Sequence, residues 1–261
     1  MNEKEKIMKI IDIVALKGGV GKTTTAVNMA YVLGVNYKNK VLLVDNDKQG
    51  NLSKAFLRYD DDDDNTVSRL LSEKNIDIHT VIKNTDYENI DIITANTGMI
   101  KACLELTTNR LAPQQLYFKE VFEQINEEYD YLVIDNAPDV DIAVINSLAC
   151  ADEIVIPIMI DQYALTGLKI LIEQIAIVKK YFNPSVKVKG LITSYRKDKC
   201  VDDQIAKLEE SELEIFETKI KRTEGKVIES TFLGIPVVAI SNRCGASKSY
   251  RCFVEEFLKE E

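Results

Sequence analysis

The stretch Ala15-Leu16-Lys17-Gly18-Gly19-Val20-Gly21-Lys22-Thr23-Thr24 decides the fold of this 261-residue chain. A Val- and Ile-rich run over 7–15 leads into it and predicts a strand. A helical pattern over 21–33 follows and predicts a helix that Gly34 caps. The glycines let the backbone curl, so that successive N–H groups and the positive end of the helix face one anion. The sequence therefore predicts a phosphate-binding loop between a strand and a helix.

One position of this loop departs from the ordinary phosphate-loop pattern G-x-x-x-x-G-K-S/T. The pattern requires glycine at position 16, which is Leu16 here, and a second lysine, Lys17, stands beside it. By the chemistry of the pattern, Lys22 reaches the outer phosphates of the ligand and the Thr23 hydroxyl ligates Mg²⁺. The candidate cofactor-binding residues are Lys17, Gly18, Gly19, Val20, Gly21, Lys22, Thr23 and Thr24.

Short runs of Val and Ile alternate with helical patterns along the rest of the chain, without a Pro-, Gly- or Ser-rich linker or an internal repeat. Strands apolar on both faces that alternate with helices predict a parallel sheet covered on both sides, with right-handed crossovers. We expect a three-layer α/β fold, with a mostly parallel twisted sheet and helices on both faces, in a single domain over 1–261. The predicted strands are 7–15, 40–45, 90–95, 129–135, 154–160, 186–193 and 214–218, and the predicted helices are 21–33, 66–72, 97–110, 113–128, 142–150, 164–182, 202–210, 225–232 and 247–259.

Two further stretches end predicted strands in aspartate. VLLVDNDKQGN at 41–51 contains Asp45 and Asp47, and YDYLVIDNAP at 129–138 contains Asp135. Because the carboxyl ends of neighbouring parallel strands meet at one edge of the sheet, these carboxylates are expected to converge beside the phosphate loop. An apolar strand that ends in aspartate is weak evidence alone, but three motifs in this order indicate a nucleotide site.

The three motifs together resemble those of a known family. KGGVGKTT resembles the deviant Walker A motif of the ParA/MinD group of P-loop ATPases, 41–51 resembles its D-x-D-P-Q-G-N motif, and 129–138 resembles its Walker B strand. The resemblance covers about 9–257, and its order and length are most similar to the ParA (Soj-like) proteins. Further matching stretches are ACADEIVIP at 149–157, YALTGL at 163–168, GLIT at 190–193, IKR at 220–222 and GIPV at 234–237.

The resemblance implies a P-loop ATPase with ATP and Mg²⁺ as cofactors. It implies that Lys17 contacts phosphate bound in a partner subunit, so that two protomers sandwich two ATP molecules. Lys17 would then supply a positive charge in trans to the transferring phosphoryl group. Asp135 would hold Mg²⁺ through water, and Asp47 would orient or deprotonate the attacking water. Asp45 would support the metal shell or the loop. Lys17, Lys22 and Asp47 are thus the candidate catalytic residues.

The chain departs from the family pattern at the motif ends. Lys48 replaces the usual proline after Asp47, Asp139 stands where a small hydroxyl residue is common, and Asp141 follows. Added negative charge near the γ-phosphate could slow hydrolysis or change its coupling to a partner. We therefore expect slow hydrolysis that a partner stimulates.

The amino-acid composition limits the cellular compartment of the protein and the kinds of metal or thiol site that it can form. The chain has 33 basic and 42 acidic residues, a net charge of −9, so its average surface repels nucleic acid and anionic lipid. No apolar run approaches the roughly 20 residues of a membrane helix, and no secretory signal is visible, so we expect a cytoplasmic protein. A single histidine excludes a multi-histidine metal site, and the five scattered cysteines predict free thiols. The aspartates at 60–64 predict a solvated loop.

A local basic segment contrasts with this average. Between positions 219 and 251 the chain has seven basic and two acidic residues, a net charge of +5. ParA-like proteins bind DNA without sequence preference as ATP-bound dimers, and a dimer would double this patch. A solvated mixed face is the alternative. The DNA-binding candidates are Lys221, Arg222, Lys226, Arg243 and Lys248.

The resemblance further implies plasmid or chromosome partitioning, nucleoid association when ATP is bound, and a ParB-like centromere-binding partner. A MinD-like membrane-cycling ATPase is one alternative, but the acidic tail at 254–261 disfavours the basic amphipathic helix it would need. An iron–sulfur carrier would need paired cysteines near the aspartate motifs. A nucleotide-gated regulator that binds protein with little hydrolysis is the remaining alternative, which Lys48 and Asp139 favour.

Overall fold

An eight-stranded sheet forms the centre of the molecule in a computed structural model that describes residues 7–109, 113–161 and 164–260. The strands lie in the spatial order β3-β4-β2-β5-β1-β6-β7-β8, and every neighbouring pair is parallel except β3 and β4. The mostly parallel sheet predicted from the sequence is thereby confirmed. The strands are β1 (Lys9–Ile13), β2 (Val41–Asn46), β3 (Ile82–Asn84), β4 (Ile90–Ile93), β5 (Tyr131–Asn136), β6 (Glu153–Met159), β7 (Lys187–Thr193) and β8 (Glu214–Ile215).

Helices cover both faces of this sheet. Leu43 packs into an apolar cluster with residues of α1 and α11, whereas its neighbour Leu42 packs on the other face with residues of α3, α4 and α5. Both leucines are fully buried, as expected for a central parallel strand. The helices are α1 (Lys22–Tyr31), α2 (Asn51–Ala55), α3 (Val67–Ser72), α4 (Gly98–Thr108), α5 (Tyr117–Phe122), α6 (Ile142–Cys150), α7 (Ala164–Tyr181), α8 (Lys199–Glu209), α9 (Glu224–Leu233), α10 (Val237–Ile240) and α11 (Gly245–Lys259).

Gly34 does not cap the first helix, so this prediction is wrong. After α1 the chain continues through a π-helical turn at Val32–Asn36 that contains Gly34. A Cβ atom at position 34 would lie 2.6 Å from Ile90 Cγ1, so glycine is required there for close packing of the turn against β4.

Other differences concern short or polar elements. The helix predicted over 113–128 is α5 followed by a single 3₁₀ turn at Glu123–Ile125, and the strand predicted over 214–218 is the two-residue β8. The sequence did not predict α2, β3 or α10, because elements of three to five residues show no clear periodicity. Arg110 and Tyr163, within the predicted helix 97–110 and the stretch 163–168, lie outside the described residues. The 60–64 run lies between helices and is mostly exposed, as predicted.

The register of the central strands places the predicted carboxylates together. Asp45 of β2 lies beside Asp135 of β5, and Ile13 at the end of β1 lies on the other side of Asp135. The phosphate loop leaves the carboxyl end of β1, so the loop and both aspartates occupy one edge of the sheet.

Candidate nucleotide-binding site

The phosphate loop has the backbone geometry of an anion cradle. Gly19 and Gly21 have φ angles of +74° and +94°, which glycine adopts at little cost. Val20 between them is buried, and its carbonyl oxygen accepts a hydrogen bond of 2.7 Å from Thr193 Oγ1 at the end of β7. Within the part of the chain that the structure describes, no side chain caps the start of α1. The first N–H groups of α1 are therefore available to a bound anion.

Lys22 supplies a buried cation at the base of the cradle. Its Nζ lies 3.5 Å from the carbonyl oxygen of Lys17. Burial lowers the pKa of the Lys22 ammonium, while the negative charges of Asp135 and Asp47 act in the opposite direction. The ammonium therefore lies between the loop and two carboxylates, where it can compensate further negative charge.

The Asp135 carboxyl group lies in a buried position beside Thr23. Its side chain is buried and hydrogen-bonds to Thr23, but Oδ1 has no hydrogen-bond partner among the described residues. Burial raises the pKa of Asp135 well above its usual range, and the neighbouring Asp45 raises it further. A divalent cation would satisfy this oxygen and reverse the electrostatic cost of ionisation, and carboxylate and hydroxyl oxygens are ligands that Mg²⁺ accepts. The residues at this position therefore fit a magnesium ion.

Asp45 is held by protein donors. Its Oδ2 accepts hydrogen bonds from Ser53 N at 2.7 Å and from Ser53 Oγ at 2.6 Å, and its Oδ1 accepts one of 3.2 Å from Asp47 N. Burial raises the pKa of Asp45 to about 7. These contacts favour the loop-supporting role over direct metal ligation. Ser53 lies in α2, which the sequence did not predict.

Asp47 directly follows β2 and lies beside the phosphate loop. Its Oδ1 accepts a hydrogen bond of 2.9 Å from Gln49 N, and its carbonyl oxygen accepts one of 2.8 Å from Gly50 N. This tight turn holds the carboxylate in the wall of a cavity of about 650 Å³. The cavity is lined by Gly18, Gly19, Gly21, Lys22, Thr23, Thr24, Val27, Asn28, Asp47, Asn51, Lys54, Ala55, Pro138, Ser230, Thr231, Phe232, Gly234 and Ile235.

A second cavity, of about 450 Å³, meets the first at the loop. Gly19, Gly21 and Thr24 line both cavities. The far wall of the second cavity is formed by Thr193 at the end of β7, by Ser194 and by the segment 220–224. No local pattern in the sequence indicated that 220–224 lies opposite the end of β7.

The Lys17 side chain contacts a residue of its own chain. Its Nζ forms an ion pair with Asp161, which follows β6, and both side chains are partly exposed. The predicted contact of Lys17 with a partner's phosphate would require it to leave Asp161.

The two unusual aspartates after Asp135 have different positions. Asp141 caps α6, because its Oδ1 accepts hydrogen bonds from Ala143 N at 3.0 Å and Val144 N at 3.1 Å. Asp139 is exposed, and its Oδ1 accepts a bond from Val140 N. The charge of Asp141 therefore stabilises a helix start.

The basic candidates lie near the start of α11. Gly245 packs against the Lys221 side chain, and Thr223 Oγ1 accepts a hydrogen bond of 3.0 Å from Ala246 N. Arg222 and Lys226 form ion pairs with Glu224 and Glu229. The five candidates Lys221, Arg222, Lys226, Arg243 and Lys248 are all exposed.

The fold and this loop define a P-loop nucleotide-binding protein. A family model described as "AAA domain" matches residues 8–188. The chain is 36% identical over 184 residues to the sporulation initiation inhibitor protein Soj of Bacillus subtilis, which covers 70% of this chain and 71% of that protein. It is 30% identical over 256 residues to the chromosome-partitioning ATPase Soj of Treponema pallidum, which covers 97% and 98%. The chain belongs to the ParA/Soj family of P-loop ATPases.

A solved structure supports the fold independently. The cobyrinic acid a,c-diamide synthase of Mycobacterium smegmatis with bound ADP and magnesium superposes with a TM-score of 0.84 over 97% of this chain and 95% of that one, at 22% identity. At this identity the likeness concerns the fold alone.

Proposed function

We propose that this chain, acting as a single domain, binds Mg-ATP, forms a nucleotide-sandwich homodimer, binds DNA without sequence preference and hydrolyses ATP to drive partitioning of a plasmid or chromosome. The observation that carries the proposal is the buried Asp135 oxygen, beside Thr23 and an open phosphate cradle, that has no hydrogen-bond partner within 7–109, 113–161 and 164–260. The name of the Treponema relative, a chromosome-partitioning ATPase, supports it.

Each group of the site has a distinct role in ATP binding and hydrolysis. The N–H groups of 18–21 and the Lys22 ammonium bind and neutralise the phosphates, and Thr23 and Asp135 hold Mg²⁺. Magnesium would neutralise charge on the phosphates of the bound nucleotide. Asp47 orients or deprotonates the attacking water, and Asp45 fixes Asp47 through its backbone N–H. The second cavity, beside Thr193 and 220–224, receives the rest of the nucleotide.

Apolar side chains at the mouth of the first cavity support the homodimer. Phe232 is 86% exposed, and Leu57 and Leu233 are 68% and 51% exposed. Gly234 packs against Leu57, so these side chains form one apolar rim beside the phosphate loop. Exposed apolar patches of this kind mark association surfaces. A second copy that covers the nucleotide would also cover this rim.

Lys17→Ala is expected to bind ATP but to remain monomeric. In the proposed dimer each Lys17 neutralises phosphate bound by the other protomer, so two charge-assisted contacts are lost in each dimer. We expect the dimer to weaken at least about tenfold, since truncation of a buried charge pair costs roughly 2–5 kcal/mol. Light scattering with and without ATP measures the dimer, and a fluorescent ATP analogue measures binding.

Lys38→Ala is the matched control for this prediction, since Lys38 is an exposed lysine paired with Glu88. It should dimerise as the wild type does. A Lys17→Ala protein that dimerises normally with ATP would refute the role of Lys17 in trans.

Reversal of the charges of Arg243 and Lys248 is expected to weaken DNA binding. Arg243, just before α11, and Lys248, in its first turns, are both exposed and lie outside the walls of the two cavities. The double substitution to glutamate should therefore spare ATP binding. We expect random duplex DNA to bind at least about tenfold more weakly, with a shallower salt dependence, because fewer phosphates are neutralised. Fluorescence anisotropy at several salt concentrations, with ATP present, measures both effects.

Lys101→Glu is the control for the DNA prediction, because Lys101 is exposed on α4, away from this segment. If both variants bind DNA equally well, the basic segment is a solvated face. Wild-type protein that shows no salt-sensitive DNA retention with ATP would contradict the DNA part of the proposal.

The alternatives make distinct predictions. The apolar face of α11 is buried in the core through Phe253, Val254 and Phe257, so a membrane-cycling role would require another surface. Among the described residues, no helix combines the length and apolar character needed to span a bilayer. A regulator without hydrolysis would form ATP-dependent dimers that release no phosphate. A ParB-like centromere-binding protein is the proposed stimulating partner, and association with the nucleoid would follow from DNA binding.

A further inference from the structure

A buried polar cluster lies on the opposite face of the sheet from the nucleotide carboxylates. It comprises Asp12 of β1, Asn46 of β2, Asn136 of β5 and Ser147 of α6, all of them buried. Asn136 directly follows Asp135, and because side chains alternate along a strand, the two residues face opposite sides of the sheet. The cluster therefore touches the strand end that carries Asp135 without lining either nucleotide cavity.

Every hydrogen-bonding position of the Asn136 amide is occupied. Its Nδ2 donates to Asp12 Oδ1 and, at 3.2 Å, to the carbonyl oxygen of Ile13. Its Oδ1 accepts from Asn46 Nδ2 at 2.7 Å and lies 2.9 Å from Ser147 Oγ. Asn136 thus connects β5 to β1, β2 and α6. These hydrogen bonds fix the position of the chain directly after Asp135.

The contacts of Ser147 bear on the protonation state of Asp12. Ser147 Oγ lies 3.2 Å from Asp12 Oδ2, 2.9 Å from Asn136 Oδ1 and 2.8 Å from the carbonyl oxygen of Val144. A serine hydroxyl has one proton for these three oxygen atoms. A second proton, on Asp12 Oδ2, would donate to Ser147 Oγ and leave the serine proton for another acceptor. The arrangement is better satisfied when Asp12 is neutral.

The surroundings of Asp12 agree with a neutral carboxyl. Burial raises the pKa of Asp12 to about 7, against the opposing effect of its bonds to Asn136 and Ser147. Burial raises the pKa of the Cys150 thiol on α6 well above its usual range, and negative charge on Asp12 or Asp152 would raise it further. Within the described ranges no lysine or arginine pairs with Asp12. Ionisation would therefore create an uncompensated buried charge.

We propose that Asp12 is a positioning residue for the nucleotide site: in its protonated form it bonds Ser147 and Asn136 and fixes the end of β5, and its ionisation loosens this connection and weakens nucleotide binding. The inference rests on the proposed function, because it concerns the affinity of that same site. Ionisation of Asp12 then lowers the affinity for Mg-ATP as the pH rises through neutrality.

Asp12→Asn mimics the protonated acid, because its amide can donate to Ser147 while its oxygen accepts from Asn136. From about pH 6 to about pH 8.5 the wild type should lose Mg-ATP affinity about fivefold more than this variant. At the lower pH the two proteins should bind alike, whereas Asp12→Ala, which removes the bonds, should bind weakly throughout. Asp45 also titrates near pH 7, so each variant is compared with wild type at every pH.

Thermal unfolding without nucleotide gives a second readout. A raised pKa in the folded state means that stability is lost as pH rises from about 4 through about 7, and is not regained above it. Asp12→Asn removes this loss, so its melting temperature should exceed that of wild type at about pH 8.5. An ionised Asp12 with a purely structural role would instead make the variant less stable at every pH. Asp203→Asn, an exposed change on α8, is the control and should follow wild type.

The outcomes separate the two claims. Equal pH profiles of affinity for wild type and Asp12→Asn, or a variant that is less stable than wild type at high pH, would overturn the inference alone. A wild-type protein that binds no Mg-ATP at any pH would overturn the proposed function and this inference with it.

Discussion

Lys22→Ala is expected to weaken Mg-ATP binding by at least about 100-fold, the largest loss that a single side chain of this site should produce. The Lys22 ammonium is the buried cation at the base of the cradle, between Asp135 and Asp47. Without it, the phosphates would meet the carboxylates of Asp135 and Asp47 without the ammonium that lies between them. Titration with a fluorescent ATP analogue at fixed Mg²⁺ measures the loss.

Lys48→Ala is the control for this result, because Lys48 is an exposed lysine next to Asp47. It should bind ATP within about twofold of wild type, as expected for an exposed charge in water. Unfolding curves of both variants confirm that each is folded. If Lys22→Ala binds ATP with wild-type affinity, the loop is not the phosphate site.

Asp47→Ala is expected to slow ATP hydrolysis about 100- to 10,000-fold while ATP still binds. In the structure, the turn over 47–50 holds the Asp47 carboxylate in the wall of the first cavity, and Asp45 holds its backbone N–H. Removal of the group that orients water should leave the ATP-bound dimer intact and long-lived. Phosphate release and light scattering, followed together after ATP addition, should show a persistent dimer.

Asp139→Ala is the matched control for this prediction. Asp139 is an exposed aspartate in the segment after Asp135, and its removal takes away the same charge. It should hydrolyse ATP at least as fast as wild type. Unchanged phosphate release by Asp47→Ala would remove this residue from the hydrolysis mechanism.

The parts of the site that the sequence predicted are those encoded by local pattern. Lys17 to Thr24 are contiguous in the chain and form one loop. Asp45 and Asp135 lie near the carboxyl ends of apolar strands, and parallel pairing places these ends at one edge of the sheet. Parallel pairing follows from strands that are apolar on both faces.

The parts that were missed depend on contacts between distant segments. Ser53 holds Asp45 from a five-residue helix, and segment 220–224 reaches the loop from the far end of the chain. The partnership of Lys17 with Asp161 spans 144 positions. The sequence predicts Gly34 as a helix cap, because the packing of Gly34 against Ile90 has no local signal. In each case tertiary packing, and not local propensity, decides the role of the residue.

The position of the second cavity along the chain has an evolutionary consequence. The stretch shared with the family model ends at 188, yet the wall beyond Thr193 and at 220–224 comes later. In the proposed function, the residues that bind the phosphates and those that contact the rest of the nucleotide are thus encoded in separate parts of the gene. Substitutions in the later part would then change the contacts of the second cavity while the phosphate loop keeps its sequence.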